Sequence, residues 1–168
     1  MPEKETVQED REKGAFARSL WIRGYQAQMD GEIEKALQCY KESIQTHPTA
    51  EAHTFLGWAY SYLGDWEGAI GECKKAIAVD PSFGNPYNDI GAYYIEQEKW
   101  EKAVPWLKKA IRSERYEPRH YPHFNLGRVY LHQGKMSQAL EQFKKSLEQY
   151  PDYAPAIQMI AQLQGRFN

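Results

Sequence analysis

The sequence predicts an all-α array of four helix pairs closed by one C-terminal helix, and three observations carry that expectation. A glycine recurs at Gly24, Gly57, Gly91 and Gly127, an alanine recurs at Ala36, Ala69, Ala103 and Ala139, and both series step by 33, 34 and 36 residues. The glycine-to-alanine spacing is 12 residues in all four units, which a chance pairing would not maintain. A proline closes three of the units, at Pro48, Pro81 and Pro151, and is displaced to Pro118 in the third, where the connection carries two extra residues. Self-similarity at such a period marks a chain built from stacked supersecondary units.

The stretch Ala50 to Phe83, AEAHTFLGWAYSYLGDWEGAIGECKKAIAVDPSF, is the clearest unit. Counting Ala50 as position 1, its landmarks Leu56, Gly57, Tyr60, Gly64, Ala69, Ala76 and Pro81 fall at positions 7, 8, 11, 15, 20, 27 and 32. This pattern resembles the tetratricopeptide repeat (TPR), and the resemblance covers roughly nine-tenths of the chain. It implies a right-handed α-solenoid of four TPR helix-turn-helix repeats (17–49, 50–83, 84–119 and 120–153) followed by a C-terminal capping helix over 154–168.

Physical reasons stand behind the landmarks. At about 100° per residue, positions 4, 7, 8 and 11 share one side of the first helix of a unit, helix A. Glycine at position 8 removes the side chain where the second helix, helix B, crosses, and alanine at position 20 supplies the matching small residue. Tyr60, Tyr94 and Tyr130 then pack across the pair. Proline ends helix B because it cannot continue the backbone ladder. Neither helix buries its apolar face alone, so neighbouring units must stack.

Taken in order, residues 1–16 carry Glu3, Lys4, Glu5, Glu9, Asp10, Arg11, Glu12 and Lys13 with almost nothing apolar, and read as a flexible charged arm. The first repeat departs from the pattern, with Arg23 in place of a packing leucine and Ala27 in place of a tyrosine, as terminal repeats often do. In the third repeat Pro105 falls inside helix B and is expected to bend it slightly. The connection 112–122, RSERYEPRHYP, mixes Arg112, Arg115 and Arg119 with Tyr116 and Tyr121; Glu114 and Glu117 dilute its charge, so it reads as an extended surface loop rather than an RNA or acidic-peptide site. After Pro151, the apolar stripe Ile157, Ile160 and Ala161 opposes Gln158, Gln162 and Arg166, the pattern of a solubilising cap.

Composition narrows the function classes. A formal charge of −2 argues against a general nucleic-acid or anionic-membrane surface. No apolar run approaches the ~18 residues of a membrane span, and the first 16 residues are too charged for a secretory signal, so a cytoplasmic location is the expectation. Cys39 and Cys73 form no CxxC pattern; Cys73 stands at position 24 with Tyr40, Leu107 and Phe143, which makes it a small buried hydrophobe. His120, His123 and His132 are too spread along their helix for a zinc site. Nucleophile elbows, phosphate-cradling loops and paired-cysteine metal patterns are absent from the sequence, so no enzyme activity, cofactor or metal is expected.

The remaining side of helix A holds positions 2, 5, 6, 9, 12 and 13. In the TPR family this side lines a concave groove that binds extended or helical peptides. Matched to those positions, the binding candidates are Trp21, Tyr25, Phe55, Trp58, Tyr62, Asn88, Tyr121, Phe124, Asn125 and Arg128. Phe55, Trp58 and Tyr62 form one stripe at spacings of three and four, suited to anchoring a ligand, while Asn88 and Asn125 are suited to bonding its backbone. The two-carboxylate clamp of TPR domains resembling the Hsp70/Hsp90 cochaperones needs Lys, Asn, Asn, Lys and Arg. Here the two frames give Trp21, Tyr25, Phe55, Asn85 and Asp89, or Thr54, Trp58, Asp89, Tyr121 and Asn125, which argues against Hsp70/Hsp90 C-terminal tails as ligands. The expectation is a non-catalytic scaffold for a protein or peptide partner. Its rivals are an assembly factor or secretion-type chaperone, like the TPR pilotins of type IV pili although no lipobox is seen, and a self-assembling homo-oligomer.

Overall fold

A computed structural model describes residues 2–165 of the chain, with side chains from residue 6 onward. Among the described residues the structure is nine α-helices: α1 Pro2–Met29, α2 Ile33–Thr46, α3 Ala50–Tyr62, α4 Trp66–Val79, α5 Asn85–Glu96, α6 Trp100–Arg112, α7 His120–His132, α8 Met136–Gln149 and α9 Ala154–Gly165. They divide into two compact units, Met1–Pro81 and Ser82–Asn168. In the first, α1 pairs with α2 and α3 with α4; in the second, α5 pairs with α6 and α7 with α8, and α9 packs on α8.

Local chemistry sets the helix ends. Thr49 caps α3 by accepting the Ala52 amide at 3.1 Å, and Asp65 caps α4 by accepting the Gly68 amide at 2.9 Å. The turn inside each pair needs one residue in the left-handed region. Gly31, Gly64 and Gly134 supply it at φ 81°, 74° and 71°, but in the third pair the position is held by Glu98 at φ 57°.

Three of the four helix-A glycines are notches for one helix-B side chain each. A Cβ on Gly24 would stand 2.6 Å from the Tyr40 ring, on Gly91 2.5 Å from Leu107, and on Gly127 2.5 Å from Phe143. Gly57 differs, because its nearest neighbour would be the Ala69 carbonyl at 2.8 Å, with Cys73 Sγ at 3.2 Å. Tyr40, Cys73, Leu107 and Phe143 are all fully buried, as are the helix-B alanines 36, 69, 103 and 139. Cys39 is buried as well, and no disulfide joins the two thiols. Tyr60, Tyr94 and Tyr130 pack half-buried against the core clusters of their units.

Several sequence expectations change on the structure. Of residues 1–16, expected as a flexible charged arm, residues 2–16 continue α1 without a break, with Lys13 paired to Glu9 at 2.7 Å on their exposed surface; the side chains of Glu3, Lys4 and Glu5 lie outside the described residues. Pro105 lies inside the second helix of the third repeat as expected, with α6 running through it to Arg112. The connection 113–119 does not stand free. Arg115 exchanges backbone bonds with the start of the third repeat (its amide donates to the Ser82 carbonyl at 3.1 Å and its carbonyl accepts the Gly84 amide at 2.8 Å), its guanidinium lies 4.2 Å from the Phe83 ring centre, and Tyr116 beside it is 4% exposed. Arg166, expected on the polar back of the cap, is outside the described residues.

Candidate functional site

The first unit carries an aromatic ladder on α1 and α3. At its base Phe55 stacks on Trp21, with ring centres 5.2 Å apart, and on Tyr40 at 5.9 Å. Phe55 then meets Tyr25 edge-on at 5.5 Å and Trp58 at 6.1 Å, and Trp58 meets Tyr62 edge-on at 5.7 Å. Burial falls along the ladder. Trp21 and Phe55 pack against the core of Ala27, Ala36, Tyr40, Leu56 and Ala59, Trp58 is half-buried, and Tyr25 and Tyr62 are 41% and 58% exposed. Ile22 and Met29 extend the exposed apolar surface along α1. Helical spacing explains the arrangement: residues three and four apart share a face, so 22, 25 and 29 line α1 as 55, 58 and 62 line α3. Gln28, placed by spacing on the same side, turns inward instead and accepts a hydrogen bond from the buried Tyr40 hydroxyl at 2.9 Å.

In the second unit the predicted residues divide differently. Phe124 packs into the cluster of Ala139, Phe143, Ala156 and Leu163, meeting Phe143 at 5.6 Å and Tyr153 edge-on at 5.2 Å. Tyr121 stays 40% exposed, its ring 4.1 Å from that of His120. Burial lowers the affinity of the His120 ring for its proton, outweighing the upward pull of Glu117. Asn88 and Asn125 are nearly buried and bond one another, Asn125 Nδ2 donating to Asn88 Oδ1 at 3.1 Å. Arg128 pairs with Glu96 at 3.2 Å.

Beside this pair lies a residue that spacing placed on the surface without assigning it a role. Asp89 on α5 is half-buried, and its carboxylate accepts a long hydrogen bond of 3.4 Å from Asn88 Nδ2. Burial pushes its carboxyl up to about 7, against the small downward pull of that amide. The hydroxyl of Tyr116 is itself raised, first by burial and then by the neighbouring charge of Asp89 and the presence of Tyr121 and Glu117. The signal available in sequence was an acid at position 6, where neighbouring repeats carry Phe55 and Asn125. His123 bonds Gln142 at 2.9 Å and His132 stacks on Trp100 at 4.1 Å, and among the described residues no group of histidines, cysteines and acids is placed to hold a metal.

Helix hairpins repeated along the chain, each with a glycine in helix A set against helix B, define a repeat protein of the solenoid class. The chain belongs to the tetratricopeptide repeat family: two family profiles, both described as Tetratricopeptide repeat, match residues 50–83 and 83–152. It is 31% identical over 108 residues to Small glutamine-rich tetratricopeptide repeat-containing protein 2 of Saccharomyces cerevisiae, covering 64% of this chain and 31% of that one. It is also 31% identical over 118 residues to Type IV pilus assembly protein PilF of Pseudomonas aeruginosa, covering 70% of this chain and 47% of that one. The chain thus spans less than half the length of either relative. A solved structure described as "Functional Characterization of Pseudomonas Aeruginosa pilF" superposes with a TM-score of 0.86 at 26% identity, covering 92% of this chain and 70% of that one. No helix among the described residues is long and apolar enough to cross a membrane.

Proposed function

We propose that the chain is a non-catalytic scaffold that holds a peptide or protein segment of a partner against its helix-A surfaces. The observation that supports this most is the outer end of the aromatic ladder, where Tyr62, Tyr25 and Trp58 stand at the surface on a base already satisfied by Trp21, Phe55 and Tyr40. Large aromatics held rigid at a surface lose little entropy on binding and are the residue type that anchors interfaces. In the second unit the exposed ring of Tyr121 offers a further aromatic edge, while the amides of Asn88 and Asn125 are engaged with one another. A cytoplasmic partner is the simplest case.

The test separates anchoring from packing. Replacing Trp58 and Tyr62 together by Ala should weaken capture of a partner from native extract by a few kcal/mol, the loss typical of interface aromatics, with a small change in melting temperature. Tyr60, packed into the helix pair, is the control: Tyr60→Ala should lower stability and affect capture only through unfolding. A Trp58/Tyr62 double variant that melts as low as Tyr60→Ala would overturn the proposal. Likeness to PilF, whose name assigns it to pilus assembly, favours a second reading, in which the scaffold serves as an assembly factor.

A further inference from the structure

The second unit contains an acid whose surroundings lack the group that would neutralise it. Asp89 is on the helix-A face of α5, partly open to solvent, beside the Asn88–Asn125 amide pair and within electrostatic reach of the buried Tyr116 hydroxyl. Among the described residues no lysine, arginine or histidine pairs with it. The arginines of α7 and of the connection before it lie against other groups: Arg128 with Glu96 at 3.2 Å, Arg119 with the Glu114 carbonyl at 2.8 Å, and Arg115 over the Phe83 ring. A carboxylate drawn out of water is costly unless it is paired, and the amide of Asn88 at 3.4 Å recovers little of the loss. A cation arriving with a ligand would recover it, and Asp89 keeps part of its surface open to solvent.

We infer that the helix-A face of α5 and α7 receives the lysine or arginine side chain of a protein partner, with Asp89 as its counter-ion and the exposed ring of Tyr121 alongside its aliphatic stem. This rests on the scaffold reading above and adds the chemistry of one ligand position. It reverses the charge sense of the carboxylate-binding clamp, because where that clamp presents cations this face presents an acid. Asp89 selects the partner, while the aromatic ladder of the first unit is indifferent to charge.

Two pools of capped nonapeptides with identical randomised flanks, differing only in a central arginine or its neutral isostere citrulline, provide the probe. Each is passed over the immobilised full chain and the retained fraction is measured by mass spectrometry. The arginine pool should be enriched over the citrulline pool on the order of fivefold, the effect of one partly desolvated ion pair. Asp89→Asn should abolish that preference while melting at least as high as the parent protein at pH 8, since it removes a partly buried charge that has no cation beside it. Amide shifts on adding the enriched peptides should centre on α5 and α7. Equal retention of the two pools, retention of neither, or a preference that survives Asp89→Asn would each overturn the inference. Equal retention that is lost in the Trp58/Tyr62 double variant would leave the scaffold reading intact and remove only the role of Asp89. A Trp58/Tyr62 double variant that keeps its partner, together with an Asp89-dependent arginine preference, would do the opposite.

Discussion

Gly91 and Leu107 offer a direct measure of how the helix pairs are held. A methyl group on Gly91 would come 2.5 Å from Leu107 Cδ2 and 2.7 Å from its Cγ, about an ångström inside ordinary contact, whereas the nearest backbone atom, the Ala103 carbonyl oxygen, is 3.6 Å away. The clash is therefore with a side chain. Gly91→Ala alone should cost about 1–3 kcal/mol by overpacking, and Leu107→Ala alone about 2–5 kcal/mol, because Leu107 is fully buried and leaves a cavity. Together the two changes should cost about 1–2 kcal/mol less than their sum, since the new methyl enters the space that Leu107 vacates. At Gly57 the first obstacle is the backbone carbonyl of Ala69 at 2.8 Å, so Cys73→Ala should give Gly57→Ala little relief. Urea denaturation of the two cycles, followed by circular dichroism with equal slopes required, reads these couplings. Additive costs at Gly91 and Leu107, or equal coupling in both cycles, would show that side-chain filling of the notch is not what sets the helix approach.

Two further outcomes follow from local geometry. Glu98→Gly should stabilise the protein by about 0.5–1 kcal/mol, the relief of a left-handed residue less the added chain entropy of glycine, and an unchanged urea midpoint would refute it. Glu72 accepts from His53 at 2.7 Å and from Lys75 at 2.6 Å; burial pushes its carboxyl up, but these bonds outweigh it and hold the carboxyl below its ordinary value. Its contribution is therefore present above its unfolded value of about 4.5 and fades as the pH falls through the lower folded value. Glu72→Gln should be less stable than the parent by on the order of 1–2 kcal/mol near neutrality, with the gap narrowing in matched melts as the pH falls below 4.5; a constant gap would refute the assignment.

The glycine and alanine series made the helix pairs legible because each residue answers a local demand: a notch at Gly91 and a small partner at Ala103 are needed wherever two helices cross closely. The helical state of residues 2–16 was not legible, since a run such as Glu9–Lys13 reads equally as solvated coil or as a helix held by pairs four apart. The binding candidates were legible as a face but not in depth. Phe55 and Tyr62 share a stripe, yet one is stacked between Trp21 and Tyr40 and the other is largely exposed, a difference set by α1 and α2 rather than by the stripe itself. Asn88 and Asn125, separated by 37 residues and a lengthened connection, could not be paired by spacing, and neither could the burial of Asp89 beside Tyr116.

The backbone exchange between Arg115 and residues 82–84 has a consequence for how the third repeat comes into being. The start of that repeat is fastened by a residue 33 positions downstream of Ser82, beyond both of its helices. Chain emerging from the ribosome can form α5 and α6 as a hairpin, but the entry to α5 stays unfastened until Arg115 is available, and closing that loop carries an entropic cost that a nearest-neighbour hairpin does not. The third repeat is therefore completed from its far end, and a fragment that stops at Arg112 would hold both helices yet lack the fastening at their beginning.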